Sequence, residues 1–87
     1  MVVIIGRLAN DPKLNSDKTA RFTIVSSDVE GNARFTQCIV TPKQAGLVMQ
    51  YTKKGMLICL EGKWASLERQ TLVATRITFL SPVSKEN

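Results

Sequence analysis

Apolar and polar positions alternate along most of this chain, in five stretches, and follow a helical period in one. Residues 1–8 are apolar and β-branched and break at Ala9, Asn10, Asp11 and Pro12, a turn-forming group. Residues 20–27 put Ala20, Phe22 and Ile24 on one side and Arg21, Thr23 and Val25 on the other, the period-two signature of a half-buried strand. Residues 28–32 form a compact hairpin connection, with Gly31 and Asn32 supplying residues tolerant of positive φ. A third strand follows over 33–41, with Phe35, Gln37, Ile39 and Thr41 on one face and Thr36, Cys38 and Val40 on the other. Residues 56–64 and 72–80 read as the fourth and fifth strands, and Ser81 and Pro82 close the pattern. Between the third and fourth strands lies one helix. Thr41 is placed to cap it, Pro42 suits its first position, and Lys53, Lys54 and Gly55 mark its end. Ala45, Val48, Met49 and Thr52 recur at i, i+3, i+4 and i+7 as a narrow apolar stripe, extended by Leu47 and Tyr51.

Three strands, a helix and two strands suit a small five-stranded barrel of the oligonucleotide/oligosaccharide-binding (OB) type, which closes its sheet edges. An SH3-like barrel would lack the helix, and a ferredoxin-like fold would need two. The expected fold class is therefore all-β, a five-stranded OB-fold barrel with one short helix between strands three and four. It fills residues 1–82 and leaves a short polar end at 83–87. At 87 residues the chain is one domain, and a domain of this size buries only about 60–65% of its unfolded surface. Leu57 and Cys59 have outward parity on the fourth strand, and the first strand is apolar on both faces. Strands apolar on both faces usually meet something on each. A homodimer through the first strand or across sheet faces would supply the cover.

Charge narrows the partner. Lys and Arg total 12 against 7 Asp and Glu, a net charge of +5, and a small basic domain most often meets a polyanion, above all nucleic acid. The absence of His removes a Ser-His-Asp relay, a Cys-His pair and His metal ligands. Two cysteines cannot build a four-ligand zinc site. Asp11, Asp17, Asp28, Glu30 and Glu68 fall in turns and Glu61 stands alone on a strand, so no carboxylate pair suggests acid–base chemistry. The expectation is a binding protein with no catalytic residue, metal or cofactor. Cys38 and Cys59 read as free thiols in a reducing cytoplasm. The apolar N-terminus ends at Gly6 and Arg7, too early for a signal segment. No run approaches the roughly 18–20 apolar residues of a membrane span. A soluble cytoplasmic protein is expected.

Several runs resemble one family. VVIIGRL at 2–8 followed by Asp11 and Pro12 resembles the opening of bacterial single-stranded DNA-binding proteins (SSB). YTKKG at 51–55 and LEG at 60–62 resemble their helix end and fourth strand. LVA at 72–74, then Phe79, Leu80 and Pro82, resemble their fifth. The resemblance implies an OB-fold protein that binds single-stranded DNA and assembles as a homodimer or homotetramer. Such proteins combine a basic groove for the backbone with aromatic faces for the bases. Only Phe35 stands at a matching aromatic position. Thr41 replaces a second aromatic, residues 27–34 hold none, the connection at 65–70 is short, and the acidic Phe-ended tail is missing. In these losses the chain is similar to the primosomal replication-restart protein PriB. FTQCIVT at 35–41 looks like the PriB third strand, but the last hairpin here is nearly stripped of the lysines on which PriB relies.

The function expected is single-stranded DNA binding in replication, restart or recombination. The alternative is a PriB-like restart factor that also contacts a helicase. An RNA-binding OB module and an OB domain that binds only protein rank behind these. The expected DNA-binding set is Arg7, Arg21, Arg34, Phe35, Lys43, Lys63 and Arg76, with Arg34 and Lys43 flanking the third strand and Lys63 sharing the outward parity of Leu57 and Cys59. Trp64 has the parity of Ile58 and Leu60 and reads as core or barrel rim, as Phe22 and Phe79 read as core. Tyr51 reads as a helix anchor. Lys53 and Lys54 would complement the helix C-terminus. Arg69 joins the basic residues of the last hairpin, and Lys13, Lys18 and Lys85 read as solvated surface.

Overall fold

The computed structural model describes residues 1–65, 67–68 and 70–82. Arg69, Lys85 and the polar end at 83–87 lie outside them. The elements run β1 (Val2–Leu8), β2 (Lys13–Leu14), β3 (Ala20–Ser27), β4 (Ala33–Val40), α1 (Pro42–Tyr51), β5 (Leu57–Trp64) and β6 (Thr71–Phe79). Their spatial order is β1-β5-β6-β4-β3-β2, and β1 also pairs with β3. That pairing closes the five long strands into a barrel with the OB strand order, as expected. Every pairing is antiparallel except β4 with β6.

Closure is narrow, since only Arg7 with Val25 and Leu8 with Ile24 pair between β1 and β3. Gly6 permits the approach: a Cβ there would run into the Val25 carbonyl and sit 2.6 Å from Ile24 Cγ2. On the far side, β6 carries an extra residue. Glu61 pairs with Arg76 but Gly62 pairs with Ala74, so Thr75 bulges. A Cβ on Gly62 would meet the Val73 carbonyl and lie 2.8 Å from Ala74 Cα. Glycine is needed at both places for space.

Strand alternation sets the interior as the sequence pattern predicts. Ala20, Phe22 and Ile24 of β3 and Cys38 and Val40 of β4 are buried, with Leu8, Ile58, Leu60, Leu72 and Ala74 from the other strands. Trp64 is half-buried opposite Leu72 and packs on this core, which puts it at the barrel rim. Phe79 also packs there, edge-on to Tyr51 with ring centroids 6.5 Å apart. Burial pushes the Cys38 thiol up to about 12, so it stays protonated at neutral pH. Both cysteines are free.

The helix differs from its pattern in three ways. Its buried face is only Ala45, Val48 and the following Thr52, while Leu47 and Met49 are 47% and 40% exposed. The helix meets β2, β3, β4 and β6, and its flanking apolar residues turn outward. It also stops earlier than expected. Thr52 takes an extended backbone and its N–H and O–H both donate to the Val48 carbonyl. Lys53 and Lys54 therefore stand beyond the last turn, and Gly55 (φ 93°) serves the next turn instead. Thr41 occupies the N-cap position but its side chain makes no capping bond, and its carbonyl accepts from the Gln44 and Ala45 N–H groups.

The two-residue β2 lies between the turn group at 9–12 and the strand at 20–27, in a stretch that the pattern leaves unassigned, because two residues show no alternation. A tight turn folds it onto β3. Lys18 adopts φ 73°, Asn15 N–H donates to the Thr19 carbonyl, and the Asp17 carboxylate accepts from Thr19 N–H. In the 28–32 hairpin, Gly31 takes φ 87° and Asn32 does not need a positive φ. No helix among the described residues is long and apolar enough to cross a membrane.

Candidate nucleic-acid interface

Residues paired across a sheet point to the same side, so the register lays out the barrel's outer surface in rows. One row runs Leu57, Arg7, Val25, Phe35 across β5, β1, β3 and β4. The next runs Thr23, Gln37, Thr71. The third runs Lys13, Arg21, Ile39, Val73, Lys63 across β2, β3, β4, β6 and β5. Adjacent rows lie two residues apart on each strand, roughly 6.6 Å. Phe35 is 67% exposed on this face, an aromatic ring without core to cover it. On one side of it stands Arg7; beyond the amide and hydroxyl row stand three cations. Arg7 and Arg21 are held in place, Arg7 donating to the Gly55 carbonyl at 2.9 Å and Arg21 to the Asn15 side-chain oxygen.

The remaining expected residues spread out. Arg34 has the parity of buried Thr36, opposite to Phe35, and faces the open barrel mouth with Val2, Ile4 and Trp64. There its charge helps hold the Asp28 carboxyl below its ordinary value, after the larger effect of the Asn32 N–H bond. Lys43 is exposed on the first turn of α1, past the Ile39 end of β4. Arg76 faces outward opposite Glu61 and Val3, beyond the bulge. The parallel register of Gln37 with Thr71 separates it from Phe35 by roughly 20 Å along the strands. The structure thus groups Phe35 with Arg7, Arg21 and Lys63, and does not bring Arg34, Lys43 or Arg76 to that group.

The register adds members that sequence reasoning did not select. Lys13 extends the basic row through β2, a strand too short to leave a pattern. Asn10, Lys13, Arg21, Thr23, Gln37 and Ile39 line a cleft of about 310 Å³. Gln37 could have been found from its parity with Phe35; Asn10 lies in a turn and carries no periodic signal.

A sequence model of the single-strand binding protein family matches residues 1–78. The chain belongs to this family. The single-stranded DNA-binding protein of Halalkalibacterium halodurans is 38% identical over 72 residues, covering 71% of this chain and 43% of the relative. That of Malacoplasma penetrans is 30% identical over 99 aligned residues, covering 99% of this chain and 52% of the relative. The chain thus spans about half the length of the curated relatives it matches. Among solved structures, a mitochondrial single-stranded DNA binding protein of S. cerevisiae superposes with a TM-score of 0.79 at 22% identity, over 92% of each chain. The SSB domain of a Synechococcus protein gives 0.77 at 12% identity, over 87% of this chain and 90% of that one. These likenesses establish the OB fold of the family.

Proposed function

We propose that this protein binds single-stranded DNA, with little sequence preference along most of its path, on the outer face of β3 and β4. The observation that carries the reading is Phe35, an exposed ring on a strand face flanked by Arg7 and by the Lys13, Arg21 and Lys63 row. The family relationship supports it. Stacking on a π-face tolerates any base, and cations spaced along the strands follow the backbone. Arg34, Lys43 and Arg76 would then meet DNA only along a longer path around the barrel. The protein acts by binding rather than by catalysis.

We further propose a homo-oligomer joined through β1. Val3 and Ile5 are 56% and 55% exposed beside half-buried Leu57 and Cys59, an apolar strip that a second copy would cover. Replication, replication restart and recombination in the cytoplasm are the settings in which single strands persist, and free thiols fit that compartment. A restart helicase is the protein partner to test by co-sedimentation, as the PriB resemblance suggests.

The experiment is fluorescence anisotropy of labelled oligo-dT over a range of salt, with duplex DNA and RNA as competitors. Tight, salt-sensitive, single-strand-selective binding supports the proposal. Absent binding at low salt, or equal competition by duplex, rejects it.

A further inference from the structure

The cleft beside Phe35 has a chemical bias. Asn10 turns its side-chain carbonyl onto the barrel, where it accepts the Thr23 N–H at 3.0 Å. A backbone N–H can only donate, so this bond fixes the amide's orientation and aims its NH2 away from the strand. The Ala9 N–H in turn donates to the Thr23 carbonyl at 2.7 Å, clamping the loop to β3. The Lys13 ammonium and the Arg21 guanidinium, which lie side by side in register, also only donate. Gln37 faces the same cleft and is exposed, and its amide can present either end. Among the described residues, no protein acceptor takes the Asn10 NH2. Ile39 and Thr23 also line the cleft, Ile39 with an aliphatic side chain and Thr23 with a hydroxyl. The result is a preformed cleft that sets fixed donors beside an aliphatic side chain.

We infer that this cleft is a base-reading subsite that prefers thymine over cytosine, at the nucleotide next to the one stacked on Phe35. The inference rests on the single-stranded DNA reading and deepens it. Phe35 and Gln37 are two residues apart on one face of β4, so a base on each would be roughly 6.6 Å apart. That is about twice the 3.4 Å rise of a stacked strand, which requires an opened, unstacked backbone. In the cleft, thymine offers the carbonyl O4 to the donors and its methyl to Ile39. Cytosine offers an amino group at the same place, donor against donor, and leaves both sides unpaired.

The test compares dT and dC oligomers of equal length at physiological ionic strength, by anisotropy, for the native protein, Gln37→Met and Asn10→Asp. The ratio of affinities is read, which removes general effects of charge. The native protein should bind dT roughly threefold to tenfold more tightly. Gln37→Met, on an exposed residue whose amide pairs with either base, should leave the ratio near its native value. Asn10→Asp keeps an acceptor for the Thr23 N–H but replaces the outward donor with an acceptor, and should shift the ratio toward dC. If both oligomers bind and the ratio is the same in all three proteins, the preference belongs to strand flexibility and the subsite is overturned. If neither oligomer binds in a salt-sensitive way, the DNA reading itself fails and takes the subsite with it.

Discussion

Two aromatic residues with similar sequence surroundings have different positions, and parity alone separates them. Phe35 shares its face with Gln37 and projects outward; Trp64 shares its face with Leu60 and Gly62 and packs on the core. Their truncations should therefore have opposite signatures. Phe35→Ala should weaken single-stranded DNA binding by about 1–3 kcal/mol, the range for one stacked base, and leave the urea midpoint nearly unchanged. Trp64→Ala should lower folding stability by about 2 kcal/mol, less than a fully buried ring loses, and change binding little below the midpoint. A binding defect in Trp64→Ala as large as that of Phe35→Ala would contradict this division. The Asp28 carboxylate accepts the Asn32 and Glu30 N–H groups, each at 2.9 Å, and these bonds, that of Asn32 above all, hold its pKa below the ordinary value. A depressed carboxyl pKa stabilises above the unfolded value and the effect is lost as pH falls through the folded value. Protection of the Glu30 and Asn32 amides from hydrogen exchange should accordingly hold at pH 5 and above and fall below about pH 3.8. In Asp28→Asn that pH step should disappear.

At the scale of elements, the long strands were legible because each has one face in the core, and burial of alternate residues writes a period of two into the sequence. The β3 stretch from Ala20 to Ile24 and the β4 stretch from Thr36 to Val40 follow that rule without exception. What was not legible lacked such a constraint. Two-residue β2 is fixed by its turn, and the helix boundary by the extended backbone of Thr52, neither of which has a periodic signal. The apolar stripe of the helix is broader than its buried face, since the helix meets the strands through the ridge of Ala45 and Val48 alone. Stability should follow the ridge. Val48→Ala, at a site with no exposed surface, should remove about 2 kcal/mol from the unfolding free energy. Leu47→Gln and Met49→Gln should each change it by less than about 0.5 kcal/mol. Urea denaturation of the three variants distinguishes the ridge from the broader stripe, which would predict comparable losses at Met49 and Val48. The candidate site was legible in part for the same reason. Phe35, Arg21 and Lys63 are set by parity, whereas Asn10 and Lys13 join them only through the fold of the first loop.

At the scale of the whole molecule, the proposed function assigns one part of the outer surface to DNA and another to a second copy, and that division can be measured. Val3 and Ile5 lie in the β1–β5 part, with Glu61 and Cys59 as their partners in register. Lys63 lies in the third row with Val73 and Ile39. An interface across a two-fold axis brings each residue near its own symmetry mate or the mate's neighbours. Ile5→Lys would therefore place two like charges in an apolar contact, and the assembly should dissociate to chains of 9.6 kDa in sedimentation equilibrium. Each barrel would keep its DNA face, so the slope of log affinity against log salt, counted per barrel, should be nearly that of the native protein. Lys63→Ala should do the reverse. It should leave the assembly intact and reduce the magnitude of the slope by about 0.7, the contribution of one phosphate contact on a single strand. Arg76→Ala, opposite Glu61, should leave the slope for a short oligomer unchanged if its position outside the Phe35 group governs its role. An Ile5→Lys protein that remains assembled would exclude β1 as the contact, while a Lys63→Ala protein with the native slope would move the path of the DNA off the third row.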